Sequence, residues 1–87
     1  MDPKTYVLLT RSNNGTYIDK VNVCADLNLC RQILQAMINA NKNANRAEIL
    51  EGNRDYIGDF RVKPLQKFSI NMHRNLVLEV DDANNKS

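Results

Sequence analysis

The hydrophobic pattern is clearest between residues 26 and 42, DLNLCRQILQAMINANK. Leu27, Cys30, Leu34, Met37 and Asn41 follow one another at steps of three or four, and Leu29, Ile33, Ala36 and Ala40 make a second row beside them. Asn28, Gln32, Gln35, Asn39 and Lys42 form an opposite, polar row. This spacing predicts an amphipathic helix laid on a sheet. Asp26 stands where its carboxylate can accept the unpaired N–H groups of the first turn and meet the positive end of the helix dipole. No Glu or Gln follows three residues later, so there is no capping box. At the far end the asparagines of 41–45 are expected to end the helix in a left-handed conformation. So short a helix is marginal alone in water, so its apolar row must pack on something.

On either side the pattern changes to strand. Residues 4–10, KTYVLLT, are rich in strand formers, and Asn14-Gly15 is a strong hairpin signal. Residues 16–24 alternate, with Ile18, Lys20 and Asn22 on one face and Tyr17, Asp19, Val21 and Val23 on the other. Residues 46–51, RAEILE, read as a strand in preference to a short helix closed by Gly52. Gly52-Asn53 is a turn pair, with 54–58 as the returning strand, a single turn at 59–60, and 61–63 before the break at Pro64. Residues 65–71 set Phe68, Ile70 and Met72 on one face, 73–75 form a polar turn, and Leu76, Leu78 and Val80 alternate with Val77 and Glu79. The expected fold is α+β: a small antiparallel sheet built from hairpins, β-β-α-β-β and then a C-terminal hairpin, with one helix at about 26–42 across one face. Residues 1–80 make one domain, and 81–87 form a polar, disordered tail.

Composition narrows the possibilities by exclusion. Eighty-seven residues allow only a small core, and small cores are often supplemented by oligomerisation. A net charge of +2 is near balance and does not argue for wholesale attraction to nucleic acid or membrane. No apolar run approaches the ~20 residues needed to span a bilayer, and the N-terminus does not read as a signal peptide. Cys24 and Cys30 fit neither metal nor redox spacing and are expected to be reduced, buried thiols of a cytoplasmic protein. Asparagine is over-used, at thirteen residues, a bias that follows AT-rich coding and suggests a virus, phage or low-GC bacterium.

Catalytic groupings are sparse. Asp55 and Asp59 fall in turn-like sequence and read as solvated. His73, the single histidine, lies far along the chain from either cysteine, so neither a Cys–His nucleophile nor a four-ligand zinc site can be composed. Gly15, Gly52 and Gly58 make no phosphate loop or dinucleotide fingerprint. No metal, no cofactor and no membrane association is expected.

Two further patterns suggest functions. Thr5-Tyr6-Val7, then Tyr17-Ile18-Asp19, then a helix carrying Arg31 resembles over about thirty residues the opening of a GIY-YIG nuclease, a family that pairs two tyrosines on a hairpin with an arginine on the next helix and a metal-binding glutamate further on. Here the first tyrosine of that pattern falls at Val7, and Asp19 replaces a glycine. The resemblance implies a degraded nuclease. Separately, Arg54, Arg61, Lys63, Lys67 and Arg74 interleave with Tyr56, Phe60 and Phe68, a mixture that can hold nucleic acid by phosphate pairing and base stacking. The reading preferred over both is a small, non-enzymatic interaction module, of viral, phage or mobile-element type. It would bind a protein partner or a second copy of itself, as a homodimer, through an exposed sheet edge. Arg54, Tyr56, Arg61, Lys63, Lys67 and Arg74 are the candidate contacts, with nucleic acid as the alternative ligand.

Overall fold

A computed structural model describes residues 4–52 and 64–82. Strands Thr5–Arg11 (β1) and Tyr17–Cys24 (β2) precede the helix Leu27–Ala40 (α1), and strands Arg46–Glu51 (β3), Gln66–Ile70 (β4) and Leu76–Asp81 (β5) follow it. They form one antiparallel sheet in the order β2-β1-β3-β4-β5. The α+β class, the helix and the strand reading of 46–51 are as expected. The strand anticipated at 54–58, the turn at 59–60 and the piece at 61–63 lie outside the described residues. Asp81 ends β5 and the Asp82 N–H reaches the Leu65 carbonyl, so ordered pairing enters the stretch expected to be tail.

The helix starts as its sequence dictates, with the Asp26 carboxylate accepting the Leu29 N–H at 2.8 Å. Its buried line is Cys30, Leu34 and Ile38, with Leu27, Ile33 and Met37 packed beside them. This corrects the expected second row: Leu29, Ala36 and Ala40 face solvent. Ile38 continues the four-residue step from Leu34 and takes the place that the row through Met37 and Asn41 had claimed. The line meets Tyr6, Leu8, Ala47, Ile49, Leu65 and Phe68 on one face of the sheet. Each such side chain contributes roughly 1.5–3 kcal/mol on burial. Val7, Leu9 and Leu50 make a smaller buried cluster on the opposite face. The burial of Cys30 raises the pKa of its thiol, an effect that the Asp26 charge reinforces. Cys24, expected to be buried, is exposed on the edge strand β2, one step out of phase with the inward Val23; neither cysteine is in a disulfide.

The helix ends differently from expectation. Asn41 leaves in an extended conformation, φ −138°, and not left-handed. The exposed carbonyls of the last turn are covered instead by Arg74, from the turn between β4 and β5. Its guanidinium donates to Ile38 O at 2.9 Å, Asn41 O at 3.0 Å and Ala44 O at 2.9 Å. A cation over the helix C-terminus also suits the dipole.

The β1–β2 and β4–β5 hairpins share one loop geometry. Gly15 N–H bonds Ser12 O while Ser12 N–H bonds Thr16 O, and Arg74 N–H bonds Asn71 O while Asn71 N–H bonds Asn75 O. Each is a three-residue loop whose third position needs positive φ. Gly15 supplies it at 90°, and Arg74 supplies it at 64°. A side chain there costs ~1 kcal/mol or more, which the hydrogen bonds of the guanidinium offset. Asparagine side chains close all three loops at this end: Asn14 Oδ1 accepts Thr16 N–H, Asn41 Oδ1 accepts Asn43 N–H, and Asn71 Oδ1 accepts His73 and Asn75 N–H. Much of the asparagine excess thus has a local use, since this side chain mimics a backbone turn.

Candidate protein-interaction edge

The two outer strands, β2 and β5, both carry a bulge. On β2 the extra residue is Ile18, between the pairs Arg11–Tyr17 and Thr10–Asp19. It packs with the helix-side core and not on the face of Lys20 and Asn22, where strict alternation put it. On β5 the extra residue is Glu79, between the pairs Phe68–Leu78 and Lys67–Val80. Leu78 therefore shares the helix side with Phe68, whereas Val80 goes with Lys67 to the other face. This corrects the expected alternation of Leu76, Leu78 and Val80. Met72, expected to extend the face of Phe68 and Ile70, sits in the turn instead.

The strands differ in what they show to solvent. The exposed residues of β2 are Tyr17, Asp19, Asn22 and Cys24, and the Asp19 carboxylate accepts the N–H of Lys20 at 2.8 Å. Charged side chains of this kind are how proteins blunt a free edge. The β4–β5 hairpin instead exposes Met72 (89%), Val77 (39%), Leu78 (42%) and Val80 (39%). The other large exposed hydrophobics among the described residues, Tyr17 and Leu29, stand apart on different elements.

Backbone alternation shows which groups β5 turns outward. Asn71 and Asn75 form the hydrogen-bonded pair that closes the hairpin, so Leu76 and Leu78 direct their N–H and C=O away from β4. The outward N–H of Leu76 is taken by Gln35 of the helix, Oε1 at 3.2 Å, and the same amide donates Nε2–H to Arg74 O at 2.7 Å. Gln35 thus occupies the first step of the edge as a strand residue would. At the other end the buried Gln66 accepts from Arg31 Nε at 3.3 Å and donates to Asp81 Oδ1 at 3.0 Å, while the Arg31 guanidinium lies 6.0 Å from the centre of the Phe68 ring. Both ends of β5 are held to the helix through polar links. Between them the N–H and C=O of Leu78 face outward with no described strand beyond.

The residues singled out in the sequence do not gather here. Arg54, Tyr56, Arg61 and Lys63 lie outside the described residues. Arg74 is committed to the helix end. Lys67 is exposed in a cleft of about 550 Å³ on the helix-free face, together with Arg46, Glu48 and Glu79. The cleft mixes cations with carboxylates, and Glu48 also meets Arg11 at 3.4 Å, so it is not the run of cations that phosphate binding uses. In the nuclease-like pattern, Val7 and the Arg11–Tyr17 pair lie four residues apart on β1, roughly 13 Å, while Arg31 is turned to Gln66 and Phe68. Among the described residues no three His, Cys, Asp or Glu side chains cluster to hold a metal, and no helix is long and apolar enough to cross a membrane.

Among the described residues the chain is a small α+β domain whose two outer strands differ in the side chains they expose. Comparison of the chain with known protein families, curated proteins and solved structures finds no match.

Proposed function

We propose that this chain is a non-enzymatic interaction module that binds a protein partner through the open edge of β5. The observation that carries this reading is the run Val77, Leu78 and Val80, three exposed aliphatic side chains on one outer strand, where the other outer strand exposes no aliphatic residue. Apolar surface gathered on one hairpin marks an interaction site more often than scattered apolar residues do. The polar links at Leu76 and Asp81 hold the strand in place before any partner arrives, which lowers the ordering cost of binding.

Co-purification followed by mass spectrometry tests the reading with two variants. Val77→Lys with Val80→Lys, both on exposed positions, is expected to release the partner and keep the circular dichroism of the wild type. Asn22→Lys on β2 is expected to keep the partner. Nucleic acid recovered with the wild type, and lost when Lys67 is changed to Ala, would favour the alternative ligand.

A further inference from the structure

The chemistry of the β5 edge specifies more than the class of its ligand. We propose that this edge receives an extended peptide segment carrying alternating apolar and basic residues, which adds to the sheet as a sixth strand from Val77 to Asp82. The proposal rests on the reading above and deepens it.

Three observations lead to it. First, Gln35 fills the edge opposite Asn75, so an incoming strand cannot extend past Leu76 toward the turn without displacing that amide. Second, the outward N–H and C=O of Leu78 supply the main-chain bonds by which a strand is added to a sheet, while Leu78 on one face and Val77 and Val80 on the other supply apolar contacts. Third, Glu79 and Asp82 carry exposed carboxylates along the stretch beyond Gln35, with Lys67 and Arg46 beside Glu79 in the cleft of the helix-free face.

The same facts argue against a second copy as the occupant. Two β5 strands related by a two-fold axis must avoid both Gln35 amides, which slides them toward their C-terminal halves. The bulge at Glu79 turns the backbone groups of Leu78 and Asp81 outward and those of Val77, Val80 and Asp82 inward, so the matching register sets Leu78 against Asp81 and Val77 against Asp82. Each copy would then cover the apolar residues of the other with carboxylates. Lysine or arginine opposite Glu79 and Asp82 instead pairs opposite charges across the strands.

The test uses the full chain, labelled with nitrogen-15, and two synthetic peptides of about eight residues, one alternating valine with lysine and the other valine with glutamate. The lysine peptide is expected to shift the amide signals of Val77 to Asp82, to slow exchange of the Leu78 amide, and to bind ~10-fold or more tighter than the glutamate peptide, a ratio that falls with added salt because the pairs are exposed. Glu79→Lys with Asp82→Lys, both exposed, is expected to reverse the preference. Equal binding of the two peptides, binding by the lysine peptide away from β5, or dimerisation of the wild type through β5 without peptide would overturn the proposal. A natural partner lost in the Val77/Val80 variant but indifferent to Glu79 and Asp82 would remove the basic specificity and leave the edge reading standing. A partner indifferent to all four would remove both.

Discussion

On β2 the amide of Lys20 meets the Asp19 carboxylate and the exposed positions are Tyr17, Asp19, Asn22 and Cys24; on β5 the amide of Leu76 meets a helix side chain and the exposed positions beyond it are Val77, Leu78, Glu79 and Val80. Both strands are bulged, which twists an edge and disfavours its extension. The bulge is therefore not what separates them. Side-chain chemistry is. The Asp19 carboxylate covers one outward N–H of β2, whereas β5 is held at both ends by amide links and has no described strand beyond Leu78.

The largest expected effect tests whether the two edges share one support. Leu34 is wholly buried on the sheet-facing side of the helix, and Leu34→Ala should cost ~2–5 kcal/mol. Hydrogen exchange should then rise together on β2 and β5. A rise confined to one edge would mean that the sheet does not open as a unit.

Arg74 comes next, because it lies in the turn that leads into β5 and has no contact with β2 among its described hydrogen bonds. Losing its hydrogen bonds to the helix end should make Arg74→Ala cost ~2–3 kcal/mol. Arg74→Gly should cost about 1 kcal/mol less, since glycine accepts the positive φ without strain. Amide exchange should quicken on β5 more than on β2 in both variants. Equal stability of the alanine and glycine variants would show that the left-handed conformation carries no cost at this position.

The smallest effects bear on the guards themselves. Gln35→Ala should cost about 0.5–1.5 kcal/mol and expose the Leu76 amide to exchange. Asp19→Ala should stay within ~0.5 kcal/mol and expose the Lys20 amide. If neither amide responds, the side chains do not shield the edges and the contrast between them disappears.

Local periodicity made the helix, its Asp26 cap, the first hairpin and the last two strands legible in the sequence. What it could not give was any property set by one inserted residue. Ile18 and Glu79 each turn the pattern over by one step, and no residue type announces a bulge. The choice of Ile38 over Leu29 depends on where the sheet lies, which is tertiary information. In the sequence Arg74 reads as a turn residue and candidate ligand contact, because its partners, Ile38 O, Asn41 O and Ala44 O, are backbone groups some thirty residues upstream. The apolar alternation of β5 was visible, but its exposure was not: an outer and an inner strand can carry the same letters. Cys24 was misjudged for the same reason.

The order of strands across the sheet also has a consequence for how the chain is made. Emerging from the ribosome, β2 finds β1, β3 finds the other side of β1, β4 finds β3, and β5 finds β4. None of the described strands has to wait, unpaired, for an inner neighbour synthesised after it, so no inner gap is exposed to misassembly during translation. After β3 the sheet grows in one direction only. The side on which β5 ends is the side on which each later strand was laid down, and a partner's strand would join by the step that the chain has just performed on itself.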